Sequence, residues 1–170
     1  EQLQLAACWS QPNRAAIAGM CRDRHIALAS HDDATHEHVV ESHQLGSVIA
    51  EFPTTFEAAQ SLRRHGMNVL MGAPNIVRGG SHSGNVAARE LAQHGLLDIL
   101  SSDYYPASLL DAAFRVADDD SNTFSLPQAI TLVTKNPARA LNLHDRGVIG
   151  EGKRADLVLA CLLYTSDAAD

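Results

Sequence analysis

No stretch of the chain approaches the ~20 consecutive apolar residues that span a bilayer, so it offers no candidate transmembrane helix. No signal-peptide pattern opens it either. Positive charge is scarce: 13 Lys and Arg stand against 20 Asp and Glu, a net charge of -7. Such a chain lacks the electrostatic footprint of a non-specific nucleic-acid binder, although a single pocket can still be locally cationic. The three cysteines, Cys8, Cys21 and Cys161, show neither paired nor metal-ligand spacing. They read as free thiols in a reducing compartment, which points to the cytoplasm with no membrane or nucleic-acid partner. Two motifs are missing as well. No Gly-Lys-Ser/Thr closes the glycine-rich segment, which excludes a Walker A loop, and His38-Val39-Val40-Glu41 lacks the His-Glu-x-x-His pattern of a zinc helix.

What is present suits one ordinary domain: 170 residues, 45% of them hydrophobic. Short apolar runs alternate with helix-like stretches four times. Ile26–Ser30, Val48–Glu51, Asn68–Met71 and Leu97–Ser101 read as strands. The helices are expected over about 35–45, 56–65, 86–94 and 108–117, with Gly46, Gly66 and Gly95 as stops. Glu1–Trp9 reads as helix already under way, and Ser10 and Pro12 predict a new helix start before the first strand, running to about Arg24. Two further helices are expected near 127–134 and 137–141, and a strand over 155–160. Apolar strands that do not alternate are expected where both faces of a parallel sheet are covered. The fold class is therefore α/β.

Chemistry-bearing residues gather just after each strand: His31, Asp32 and Asp33; Glu51, Thr54 and Thr55; Asn75, Arg78, Ser81 and His82; Ser102, Asp103 and Tyr104. Barrels and open parallel sheets both place ligands at strand C-termini; polar residues at all four ends favour the barrel. His31 is a candidate metal ligand or a helix-capping histidine. Asp103 is a candidate ligand and proton acceptor, or an N-cap before Pro106 and Ser108. Asp32 and Asp33 sit at a helix entry, where capping is expected. Gly72 to Asn85 joins three glycines after Gly72 to two serines, two asparagines, Arg78 and His82, then meets a helix start. That combination is a plausible anion seat. His36, His38 and His43 are read as solvent or loop-packing residues, and Asp118–Asp120 as a solvated loop rather than a metal site.

Two blocks carry a resemblance. Thr134–Leu141, then Asp145-Arg146-Gly147-Val148-Ile149-Gly150-Glu151-Gly152-Lys153-Arg154-Ala155-Asp156-Leu157-Val158, resembles the C-terminal signature of the amidohydrolase superfamily. Ala29–Thr35, Ala50–Thr55, the glycine-rich segment and Ser101–Pro106 closely resemble the α-D-ribose 1-methylphosphonate 5-triphosphate diphosphatases of the carbon–phosphorus lyase pathway. The resemblance covers about residues 1–160. It implies the C-terminal half of a (β/α)8 TIM barrel, strands five to eight, over 1–145, and a strand returning to a small β-sandwich over 146–160. Residues 161–170 resemble a translated sequencing adapter, and the chain is expected to be a fragment of a longer protein.

The resemblance also implies chemistry: metal-dependent hydrolysis of a sugar polyphosphate with release of diphosphate. One or two divalent ions (zinc, manganese or magnesium) would be held by His31 and Asp103. The superfamily's strand-six histidine is absent, and Glu51 stands there as a substitute ligand. Asp103 would act as base. Asn75, Arg78, Gly79, Gly80, Ser81, His82 and Ser83 would bind phosphate, and Tyr104 ribose. Homo-oligomerisation is left open. The alternatives are a C–N bond hydrolase on the same fold, a deacetylase or cyclic amidase, and a fragment with no activity of its own.

Overall fold

The computed structural model describes residues 2–81 and 84–160, with backbone only for 2–7. The elements run α1 (Gln2–Asp23), β1 (Leu28–His31), α2 (His36–Gln44), β2 (Ser47–Glu51), α3 (Phe56–Arg64) and β3 (Asn68–Gly72). They continue as α4 (Ala73–Arg78), α5 (Ala88–Gln93), β4 (Ile99–Ser101), α6 (Ser108–Ala117), α7 (Leu126–Thr131) and α8 (Lys135–Ala140). The four strands form one parallel sheet in sequential order, β1-β2-β3-β4. Sequential order of parallel strands is what successive βαβ crossovers of one hand produce. Among the described residues β1 pairs only with β2, so its outer edge has no ladder partner.

Local chemistry sets the element limits. Thr35 and Thr55 cap α2 and α3, accepting from the backbone N–H of His38 and Ala58. Gly46 and Gly66 follow those helices at positive φ, where no L side chain sits easily. α7 opens with a capping box between Ser125 and Gln128. The buried helix faces are rich in alanine: Ala58 and Ala59 with Leu62 on α3, Ala88 and Ala92 with Leu91 on α5, Ala112 and Ala113 with Val116 on α6. Small residues there let the helices approach Val69, Met71 and Leu100 of the sheet closely. Asp98 fastens the entry of β4: its carboxylate accepts from the Val69 N–H at 2.9 Å and from Arg63 at 2.6 Å. Burial pushes that carboxyl up despite both partners.

Four differences from the sequence-based expectation have physical causes. α1 runs unbroken through Pro12 rather than starting at Ser10; a proline removes one backbone donor, and the surrounding residues hold the rest of the ladder. The glycine-rich segment is not all loop, because Pro74 in the first turn nucleates α4 and Gly79 at φ 80 ends it. Residues 155–160 carry no strand, as a single segment without a ladder partner cannot form one. Strand one is Leu28–His31, which takes His31 into the ladder opposite Glu51. The expectations for 161–170, His82 and Ser83 lie outside the described residues.

The Asp118–Asp120 run is tied down at one point. Asp119 takes both a 2.6 Å and a 2.9 Å bond from Arg89 and a further bond from Ser121, which hold its carboxyl far below the usual carboxylate range. A lowered folded pKa stabilises the fold above the ordinary carboxylate value of about 4, and the gain is lost as pH falls toward the folded value. Asp119→Asn should therefore unfold more easily than the parent at neutral pH, with the difference shrinking as the pH is taken below about 4. Urea unfolding at several pH values checks this.

Candidate active-site mouth

The strand C-termini end in a repeated device. Asp32 N–H bonds Glu51 O at 3.0 Å, and Phe52 N–H bonds Leu70 O at 2.9 Å. In each case the amide extends the ladder by one residue and the backbone then turns left-handed, with φ 59 at Asp32 and φ 55 at Phe52. Asp103, just past β4, is left-handed too, at φ 49. For a phenylalanine such a conformation is a genuine outlier, and strain of this kind clusters at functional sites. The other two non-glycine residues with positive φ among the described residues, His25 and Asn142, merely follow the ends of α1 and α8.

A cavity of about 220 Å³ opens at this end of the sheet. Asp32, Asn75, Arg78, Ser81, Asp103 and Tyr104 are among its lining residues. Asp103 does not cap α6, whose N-cap is Ala107 with no side-chain bond. Its carboxylate lies over the end of β3 instead: a Cβ built on Gly72 would stand 3.1 Å from Asp103 Oδ2 and 3.6 Å from the Phe52 ring. Arg78 Nη1 donates to the Tyr104 hydroxyl at 2.6 Å.

His31 and Glu51 are register partners on β1 and β2. His31 Nε2 lies 4.0 Å from Glu51 Oε2, and its Nδ1 lies 3.0 Å from Asp32 Oδ2. The Phe52 ring meets the imidazole edge-on, with centroids 5.4 Å apart. Two ligands of one tetrahedral ion, each about 2.0–2.2 Å from it, stand about 3.4 Å apart, so the 4.0 Å between Nε2 and Oε2 is wider than a shared tetrahedral ion would hold. No group of three or more His, Cys, Asp or Glu among the described residues converges on a single point; Asp103 lies beside Gly72.

Several sequence-predicted roles change. The amide donors expected of Gly79 and Gly80 are occupied: Gly79 N–H bonds Ile76 O at 3.2 Å and Gly80 N–H bonds Asn75 O at 3.0 Å, closing the end of α4. A helix C-terminus carries partial negative charge and does not attract an anion. Gly79 also turns away, into a hollow shared with Arg89 and Asp119. Asn75 accepts through Oδ1 from the Ala88 N–H at 2.9 Å and so ties α4 to α5. The side chains of Arg78, Ser81 and Tyr104 remain on the cavity. Neither aspartate after His31 caps α2, since Thr35 does. Asp33 is buried and takes hydroxyls from Ser30 and Ser42, while Asp32 stands exposed at the mouth. His36 and His43, read as solvent or loop-packing residues, are both exposed, with ring centroids 5.8 and 5.1 Å from that of His65.

A parallel α/β sheet with carboxylates and an imidazole at its strand ends defines a class that the family comparison names: the amidohydrolase family profile matches residues 15–162, and the chain belongs to that family. Among curated proteins it is similar to the alpha-D-ribose 1-methylphosphonate 5-triphosphate diphosphatase of Escherichia coli (strain K12), 86% identical over 160 residues. That match takes in 94% of this chain but 42% of the relative, so the chain spans less than half the length of the protein it resembles. A crystal structure of an uncharacterized protein superposes with a TM-score of 0.61 at 20% identity, over 84% of this chain and 40% of that one. At that identity the likeness concerns the fold alone.

Proposed function

We propose that the full-length protein to which this sequence belongs hydrolyses α-D-ribose 1-methylphosphonate 5-triphosphate to the 5-phosphate and diphosphate, in phosphonate breakdown. The observation that carries this is the placing of a carboxylate, Asp103, on one small cavity with the side chains of Arg78, Ser81 and Tyr104. The name of the 86% identical relative supports the substrate. In this reading residues 1–145 are half of a (β/α)8 barrel and 146–160 lead toward a small β-sandwich. The unpaired outer edge of β1 supports it, since such an edge calls for a further strand.

His31, Asp103 and Glu51 would be the residues to hold the divalent ion that the resemblance implies, and such an ion would supply Lewis-acid polarisation of a phosphoryl oxygen. Asp103 accepts the proton of the attacking water. The planar guanidinium of Arg78 offers paired N–H groups to phosphate oxygens, and the Tyr104 hydroxyl holds it ready from one side. Ser81 adds a hydroxyl donor, and Tyr104 reaches the ribose. The isolated chain, with half a mouth, is expected to show no turnover.

The test is a chimera in which residues 1–160 replace the matched part of the E. coli relative. Metal-dependent diphosphate release from the triphosphate supports the reading. Amine or carboxylate release from acetylated amines or cyclic amides, without diphosphate, overturns it in favour of a C–N hydrolase. In the same chimera, Gly72→Ala should push the Asp103 carboxylate by a few tenths of an ångström from its place. Since a ~1 Å misplacement costs about a hundredfold, kcat should fall by less than about that factor. KM and thermal stability should stay near the parent values, and steady-state kinetics beside a melting curve check all three.

A further inference from the structure

We infer that Tyr104 is a positioning residue for Arg78: it fixes the plane of the guanidinium before phosphate arrives, a role resting on the phosphate reading above. Arg78 Nη1 donates to the Tyr104 hydroxyl oxygen at 2.6 Å. Arginine recognises phosphate best through two parallel N–H···O bonds, and these need the planar fork in register with the oxygens. A fork already held by a neighbour loses less rotamer freedom on binding than one that swings on its flexible stem.

Three further observations converge on this pair. The bond joins residues 26 apart, carried by different elements. Arg78 is the last residue of α4, just before the left-handed Gly79, and Tyr104 follows the left-handed Asp103 past β4. Both line the cavity of about 220 Å³ on which Asp103 also lies. Tyr104 is 63% exposed, so its ring contributes little to the core. The turn that carries it is closed by other groups, with Tyr105 N–H bonded to Ser102 O and the Ser108 hydroxyl to Tyr105 O. An exposed tyrosine that neither packs the core nor closes its own turn has little use to the fold, whereas the bond to Arg78 gives it one in binding. The role is separate from contact with the ribose, because it acts on the phosphate side alone.

The test measures binding of inorganic diphosphate, without added metal, to the chimera by isothermal titration calorimetry, with a melting curve for each variant. Diphosphate carries no ribose, so it reports on the phosphate side of the cavity only. Tyr104→Phe keeps the ring and removes the acceptor. It should weaken diphosphate binding by about three- to tenfold, the worth of one hydrogen bond, at an unchanged melting temperature. Arg78→Ala should weaken binding by about ten- to a hundredfold, as loss of a charged donor does. Adding Tyr104→Phe to Arg78→Ala should then change the affinity by less than about twofold, because a residue that acts through another has nothing left to act on. Tyr104→Phe binding diphosphate like the parent overturns the inference. So does a melting temperature lowered by Tyr104→Phe, which would make the bond a structural one. A second loss in the double variant as large as in Tyr104→Phe alone also overturns it, since Tyr104 would then touch phosphate itself. Arg78→Ala separates the two levels. If it weakens binding and Tyr104→Phe does not, the positioning role is wrong and the phosphate reading stands. If it binds like the parent, or the parent binds no diphosphate, the phosphate reading fails and this inference with it.

Discussion

Asp103→Asn in the chimera is expected to lower kcat for diphosphate release by about a hundred- to ten-thousandfold, the usual worth of a positioned general base. Asparagine has nearly the same shape and tolerates the left-handed backbone that Asp103 adopts at φ 49. The fold and the cavity wall should therefore survive, and melting temperature should change little. What is lost is the ability to take a proton. Asp103 makes no helix cap that would give the substitution a structural cost. Turnover within a few-fold of the parent would remove Asp103 from the mechanism.

The largest stability effect is expected at Leu62. It is fully buried on α3, between Ala58, Ala59 and the sheet core of Val69 and Met71. Leu62→Ala deletes buried methyl groups and leaves a cavity that the rigid helix–sheet seam closes only in part, at a cost of about 2–5 kcal/mol. Against total stabilities of about 5–15 kcal/mol for natural domains, that is a large share. Urea unfolding of the chimera should show a lower midpoint with an unchanged slope. Replacing an exposed residue of the same kind, such as Ile17 on α1, should cost much less.

Most of the framework was legible in the sequence because it rests on local chemistry. Four apolar runs, each followed by a helix pattern and three of those patterns stopped by glycine, describe βα units without knowledge of tertiary contacts. The order of units also put His31, Glu51, Arg78 and Asp103 at one end of the sheet. Backbone conformation at single residues was not legible. Asp32 and Asp33 look alike as neighbouring aspartates at a helix entry, yet one is buried under two serine hydroxyls and the other turns left-handed to meet His31. No periodicity marks Phe52 as left-handed either, since an aromatic residue there is disfavoured in isolation and held only by its neighbours. The glycine-rich segment misled for the opposite reason. Its glycines suggested free amides, but Pro74 and Gly79 bracket a helical turn that consumes them. Side-chain donors outlast such a change and backbone donors do not, so Arg78, Ser81 and Tyr104 keep their places on the cavity.

The proposed reaction breaks the bridge between the two phosphoryl groups nearest the ribose. Turnover of the ribose 5-triphosphate by the chimera, followed by ³¹P NMR, tests this. Diphosphate and a 5-phosphate are the expected products. Orthophosphate with a 5-diphosphate would contradict the proposed reaction.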